Sequence, residues 1–468
     1  MSKKNTENLD AVQSPGTNRA SFSGKLGYVL AAAGSAVGLG NIWRFPYLAA
    51  KYGGGMFVLT YIILTITFGY VLIVTETALG RMTRKSPVGA FETFGDRLPF
   101  KLGGWINAII PMLIVPYYSV IGGWVLKYLF EYMLGDRTRI ARDGYFGNFI
   151  ASSGQVELWF MVFAALNFIV ILMGVQSGIE RISKIMMPIL VILAIIIAVF
   201  SVTRQGAAAG VRYLFVPDLK NFSIMTVVTA MGQNFYSLSI AMGILYTYGS
   251  YMKKDIDIEH STWEVEIFDT GIALLSALMI IPAVFAFSGG DRNALNAGPS
   301  LMFITLPKVF ASMGAVGTAV GILFFILVLF AALTSSISLM ETSVSTFTDE
   351  LHVNRKKASA MMVIVMMVIG TLSSAGYGAL SGVTVFGMQF LDFFDFLTNS
   401  VMMPIAAFAT CLLVVIVVGT KKIEAEVEIS SRFRWKKLYN VCIRYIAPVC
   451  IVIILISSIL NVLGIIHM

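Results

Sequence analysis

An all-α integral membrane protein is the fold class this chain predicts. Three observations carry the prediction: apolar runs of membrane length, a scarcity of charge, and a skew of the basic residues toward alternate connections. Hydrophobic residues make up 57% of the 468 and charged residues only 13%, against about 25% charged in soluble domains. Runs near twenty apolar residues fall at 26–50, 55–80, 104–133, 157–174, 182–203, 223–250, 262–288, 313–348, 357–374, 385–419 and 444–466, about eleven spans in all. The first, second, third, sixth, eighth and tenth look long or interrupted; the fourth, fifth, seventh, ninth and eleventh look plain.

Most Lys and Arg lie in the N-terminal tail and in every second connection after it, including Arg355–Lys357, Lys421, Lys422 and residues 432–437. By the positive-inside rule the tail, residues 1–24, is expected in the cytoplasm and the C-terminus, His467 and Met468, outside. Arg137, Arg139 and Arg142 dissent, but Asp136 and Asp143 accompany them. The net charge of +8 therefore reads as topology in a plasma membrane, with the bilayer as partner and no nucleic acid. The three cysteines, Cys411, Cys442 and Cys450, show no metal spacing and are assigned no disulfide.

Within the first span, residues 34–44 read GSAVGLGNIWR. Gly34, Gly38 and Gly40 weaken the helix where Ser35, Asn41 and Arg44 bring polar groups. Lipid cannot satisfy broken backbone, so such a break must be buried in protein or line a watery cavity. Interrupted helices at this depth expose carbonyls to cations and amides to anionic groups. A small-residue packing stripe would explain the glycines but not Asn41 and Arg44. The sixth span carries a second polar interruption, GQNFYSLSIAMG at 232–243. Two breaks five spans apart suggest inverted five-helix repeats, 25–203 and 223–419, with 444–466 as an extra helix. A third polar patch in the eighth span sets Ala331, Thr334, Ser335 and Ser338 before Glu341, the hydroxyls and carbonyls that a hard cation needs.

Charges inside spans are functional candidates by default: Arg44, Glu76, Asp269, Glu341, Asp392 and Asp395. Arg44 is expected to pair with Asp395, Glu76 is as readily a structural ion pair as a functional group, and Asp269 calls for an ionic partner.

The run GSAVGLGNIWRFPYLAAKYGGG, with GQNFYSLSIAMG, LTSSISLME and FLDFFDF, resembles the neurotransmitter:sodium symporter family, and within it the eleven-helix bacterial amino-acid transporters. The resemblance covers the chain from Arg19 to the last helix. It implies the LeuT fold, two inverted five-helix repeats with helices one and six broken. It also implies two sodium ions and no organic cofactor. The first ion would lie among Ala36, Asn41, Ser237 and Asp269, the second among Gly34, Val37, Ala331, Thr334 and Ser335. The substrate would meet Ala36, Leu39, Gly40, Tyr118, Tyr236, Ser237 and Ser239, with Ile114, Met242, Ser335 and Leu339 around its side chain. Arg44 and Asp395 would form the outer gate; Arg19 and Asp349, near Ser250 and Tyr251, the inner one.

Departures from the family pattern refine this. Gly38 stands where amine-selective members carry an aspartate, so the substrate should bring its own carboxylate. Chloride-dependent members use residues matching Tyr61, Gln233 and Ser237 with an Asn and a Ser, where this chain has Asp269 and Ala273. A fixed carboxylate in place of chloride implies chloride independence, and a proton on Asp269 would balance the empty return. Met242 and the lack of a nearby phenylalanine leave space for a hydrophobic or aromatic amino acid, while Ala241 restricts the backbone. The expected function is sodium-coupled import of a neutral amino acid by alternating access; a small amino acid or other carboxylate-bearing zwitterion is the alternative. A channel is opposed by Tyr118, Tyr236 and Met242 crowding the midplane. An enzyme is opposed by the absence of HExxH, P-loop or nucleophile-elbow motifs, and by histidines (His260, His352, His467) that all lie away from the centre.

Overall fold

The computed structural model describes residues 19–95, 97–289 and 298–462. The expectations for His467 and Met468, and for most of the tail, lie outside the described residues. Among the described residues nine helices are long and apolar enough to cross a membrane, and a bent pair adds a tenth span. The sixth span supplies the eleventh in two pieces, Ile224–Ser237 and Ile244–Tyr251. At 1.5 Å per residue these halves reach only about 21 and 12 Å, so neither crosses alone.

The first span runs as a helix over Lys25–Ala36, opens at Val37, and resumes at Gly40–Lys51 with its axis turned by 53°. Val37 leaves helical geometry at φ −73°, ψ 100°. Glycine is needed beyond the break because partners come close: a methyl on Gly40 would lie 2.4 Å from the Tyr236 ring. The sixth span breaks inside the expected stretch 232–243: its first helix runs on through the polar residues to Ser237, and its second begins at Ile244. Three residues there hold positive φ, Ser239 at 54°, Ala241 at 59° and Gly243 at 71°. For the two non-glycines this geometry costs about 1–2 kcal/mol each, so their surroundings must impose it.

The other spans are Gly55–Thr83, Leu98–Met133, Ser153–Leu172, Val175–Val202, Ile258–Ser288, Ala315–Leu351, Arg355–Ala375, Phe390–Val418 and Lys436–Asn461. The third, expected from 104, begins at Leu98 because Pro99 suits a first helical turn. The eleventh, expected from 444, starts at Lys436, where charges conceal the helix from a hydropathy scan. The tenth starts at Phe390 rather than 385, after a glycine-punctuated connection with Phe386 at φ 51°. The fifth and eleventh are less plain than they look, each opening with or containing a π-helical turn, Val175–Glu180 and Cys442–Ile446. The third and eighth are unbroken.

Burial sorts the spans by role. Spans four, five, nine and eleven turn Ile169, Ile192, Val199, Ile364, Val368 and Ile456 outward, the faces that hydrocarbon would cover. Spans one, six and eight lie inside and contact one another. Their broken backbone is therefore enclosed by protein, as the absence of hydrogen-bonding solvent in lipid requires. All three cysteines are free.

Candidate functional site

The two breaks meet and hold each other. Ser239 Oγ donates to the Ser35 carbonyl at 3.0 Å and lies 2.9 Å from Ser35 Oγ. From the eighth span, Ser335 Oγ sits 3.3, 3.1 and 3.2 Å from the carbonyl oxygens of Gly34, Ser35 and Val37. One hydroxyl proton cannot serve three carbonyls, so unused lone pairs converge there. Thr334 Oγ1 donates within its own helix, to Phe330 at 2.9 Å and Ala331 at 3.2 Å, and keeps its acceptor lone pairs. Its Cβ lies 3.2 Å from where a Gly34 methyl would stand. The oxygens of Gly34, Val37, Ala331, Thr334 and Ser335 thus share one neighbourhood.

A second cluster forms at Asp269, which is fully buried. Its Oδ1 accepts from Asn41 Nδ2 at 2.7 Å and Ser237 Oγ at 2.7 Å, and its Oδ2 from Tyr61 OH at 2.8 Å. All three donors are neutral. Among the described residues no basic side chain bonds to Asp269, because spans one, two and six bring only an amide and hydroxyls to this face. Gln233, expected with it, points elsewhere: Nε2 donates to the Gly40 carbonyl at 3.1 Å. Asn41 Oδ1 accepts the Gly38 amide at 3.1 Å, joining this cluster to the unwound segment.

Between the clusters lies a cavity of about 30 Å³ bounded by Ser35, Ala36, Gly38, Leu39, Gly40, Ile114, Tyr118, Tyr236, Ser239, Met242, Ser335 and Leu339, among others. Tyr118 OH accepts the Leu39 amide at 3.2 Å. A side chain at Gly38 would enter this space, its Cβ 2.7 Å from Ser335 Oγ and 3.1 Å from Tyr118 OH. We therefore expect Gly38→Asp to weaken binding of any amino acid by at least about tenfold, through crowding and an unpaired buried carboxylate. Equilibrium binding in detergent measures this.

At one end of the bundle a seal is closed. Arg19 Nη1 meets both oxygens of Asp349 at 2.5 and 2.6 Å, Nη2 donates to Ser250 and Ser345 at 2.9 Å each, and the guanidinium lies 5.1 Å from the Tyr251 ring centre. Phe22, wholly buried, packs edge-on against Tyr28, Tyr248 and Tyr251. Ser23 donates its amide to Glu180 at 2.9 Å.

At the opposite end the expected Arg44–Asp395 ion pair is not made. Asp395 Oδ1 instead accepts from Asn399 at 2.7 Å and Tyr117 OH at 3.3 Å, while Arg44 lies 5.2 Å from the Tyr236 ring centre. Both line a cavity of about 330 Å³. Tyr236 lies between this cavity and the smaller one below.

Two residues carry more than sequence reasoning gave them. Glu76 makes no ion pair: its Oε1 accepts the Ala241 amide at 2.9 Å, satisfying backbone freed by the second break. Glu341, by contrast, pairs with Arg355 at 2.5 Å and accepts from Tyr251 OH at 2.8 Å. Glu266, buried in span seven, was not singled out at all; its signal is its position one helical turn before Asp269.

Two broken helices held against each other, oxygen clusters beside them and a cavity between the clusters define a secondary transporter rather than an enzyme. The sequence profile of the Sodium:neurotransmitter symporter family matches residues 19–138 and 143–466. The chain belongs to that family. It is 36% identical over 449 residues to the uncharacterised sodium-dependent transporter YhdH of Bacillus subtilis, covering 95% of this chain and 98% of that protein. It is 31% identical over 459 residues to an uncharacterised sodium-dependent transporter of Haemophilus influenzae, covering 94% and 98%. The crystal structure of MhsT in complex with L-phenylalanine matches with TM-score 0.85 at 36% identity, over 94% of this chain and 100% of that one. The chain therefore has the LeuT fold and is a multi-pass, sodium-dependent transporter.

Proposed function

We propose that the chain imports a neutral hydrophobic or aromatic amino acid with two sodium ions and without chloride. The observation that carries this reading is Asp269, a buried carboxylate held by neutral donors only, beside backbone whose carbonyls are left over. A fixed negative charge in low dielectric is stabilised by a cation. With Ala36, Asn41 and Ser237 it makes the first ion site, the Asn41 amide turning its oxygen inward; Gly34, Val37, Ala331, Thr334 and Ser335 make the second. The substrate carboxylate meets the first ion, the Leu39 and Gly40 amides and Tyr118, while its ammonium meets carbonyls around Ala36, Tyr236, Ser237 and Ser239. Ile114, Met242 and Leu339 receive the side chain. That the MhsT structure was solved with L-phenylalanine favours the same substrate class here. Because Asp269 supplies the compensating charge, with Tyr61 fixing it, chloride is not required.

Tyr118 and Tyr236 act as the lid, Arg44 and Asp395 as the outer gate, and Arg19, Asp349, Ser250 and Tyr251 as the inner. With the inner seal made and the outer pair apart, the structure corresponds to the outward-oriented half of the cycle. The N-terminus then faces the cytoplasm across the plasma membrane, and 25–203 and 223–419 rock as inverted repeats. Each ligand drives the cycle only as far as it binds one state better than the other.

A small amino acid is the second reading, favoured by the cavity of about 30 Å³, since a bulky side chain needs the lid or Met242 to move. Uptake into proteoliposomes under an imposed sodium gradient, competed by each standard amino acid and repeated with gluconate for chloride, tests both. Hydrophobic competitors should abolish uptake and the anion swap should leave it unchanged. Competition by glycine and alanine alone would select the second reading; uptake independent of sodium would overturn both.

A further inference from the structure

Span seven carries a second buried acid whose charge nothing nearby answers. Glu266 is 2% exposed and neither carboxylate oxygen has a hydrogen-bond partner among the described residues. It precedes Asp269 by three positions, so the two share a helix face with Cβ atoms about 5–6 Å apart. It faces Gly69 of span two and Asn234 of span six: the point where a Gly69 methyl would stand lies 3.5 Å from Glu266 Oε1 and 3.4 Å from Asn234 Oδ1. Asn234 offers it no donor. Its Nδ2 is turned away to the carbonyls of Ala230 at 3.1 Å and Tyr61 at 3.4 Å, and its Oδ1 accepts from Thr65 at 2.8 Å. The next acid along the helix, Glu259, is engaged with Tyr70 OH at 3.1 Å and with the amides of Arg434 and Trp435.

We propose that Glu266 is a second charge-compensating carboxylate of the ion-binding centre, a positioning residue that strengthens monovalent-cation binding at Asp269 through space. The inference rests on the two-sodium reading above. Two sodium ions bring two positive charges, the zwitterionic substrate none, and Asp269 one negative charge, leaving one positive charge uncompensated in a buried centre. A charge at Glu266 closes that balance. Conversely, with the cations gone, two buried acids one turn apart have no counterion, and a charge on either is costly to keep, which destabilises the ion-free protein. Cation binding and the stability of this region are thus tied together by a residue that need not touch the ion.

Glu266→Gln preserves shape and removes the charge. In the full chain in detergent, the sodium concentration for half-maximal binding of radiolabelled substrate should rise on the order of tenfold, with substrate affinity at saturating sodium changed less than about twofold. The thermal midpoint without sodium should rise and the stabilisation by added sodium should shrink, the opposite of what loss of a merely structural group does. Glu266→Asp should restore the sodium response; Glu266→Met gives the same readout should the Gln protein express poorly. An unchanged sodium dependence in the charge-free variants would overturn the proposal and make Glu266 neutral filler. Asp269→Asn, measured alongside, separates the two ideas: if it too leaves sodium dependence intact, the reading of the centre itself is wrong.

Discussion

Asp269→Asn should weaken sodium binding on the order of 100-fold and abolish uptake at ordinary sodium concentrations. The substitution keeps the size of the side chain but removes the charge, and it puts an N–H₂ in place of one of the two oxygens, either the one that accepts from Asn41 and Ser237 at 2.7 Å each or the one that accepts from Tyr61 at 2.8 Å. At least one donor is then left facing another, at a cost of about 1–3 kcal/mol. Losing a buried, hydrogen-bonded charge opposite a cation costs about 2–5 kcal/mol more. The measurement is the sodium dependence of substrate binding, compared with Ser237→Ala, which removes one donor, leaves the charge and should cost about tenfold or less. Equal losses in the two variants would show that the hydroxyl network, and not the carboxylate charge, dominates.

Arg19→Ala should release the seal. One guanidinium there gathers Asp349, Ser250 and Ser345, and without it Asp349 keeps only the Ser86 amide at 2.7 Å. A hydrogen bond to a charged group contributes about 1.5–3 kcal/mol. A net loss near 3 kcal/mol moves a two-state equilibrium by on the order of 100-fold. Concentrative uptake should fall below about a tenth of its original rate, and hydrogen exchange at the amides of Ile244–Tyr251 should accelerate as that half-helix loses its anchor. Binding at high substrate concentration should persist, because no pocket residue is touched. Arg19→Lys restores a point charge but not the fork, so recovery should be partial. Normal exchange with lost uptake would place the defect elsewhere than in the seal.

Much of the architecture was legible because lipid imposes a simple grammar. A span must be long, apolar and internally bonded, so the polar glycine run of span one and the Ser/Thr patch of span eight stand out against it. What escaped did so for physical reasons. The second break falls inside the expected 232–243 stretch, but its left-handed turns at Ser239 and Ala241 were not legible, because propensity argues against that geometry there; Glu76, from another helix, satisfies the freed amide. The partners of Gln233 depend on how two helices approach, which no spacing encodes. Arg44 and Asp395 line one cavity without pairing, because Asn399 and Tyr117 take the Asp395 oxygen, and sequence spacing does not encode which partner wins. The start of span eleven was hidden by Lys436 and Lys437, charges that a hydropathy scan counts against a span although Lys436 is paired with Glu424 at 2.7 Å.

Residues 19–23 have a practical bearing beyond the seal they make. Phe22 sits among three tyrosines like a stopper in a drain, moored by Arg19 on one side and Ser23 on the other. Removing residues 19–22 would take away the Arg19–Asp349 pair and the Phe22 ring together, so such a truncation should lower concentrative uptake at least as far as Arg19→Ala does.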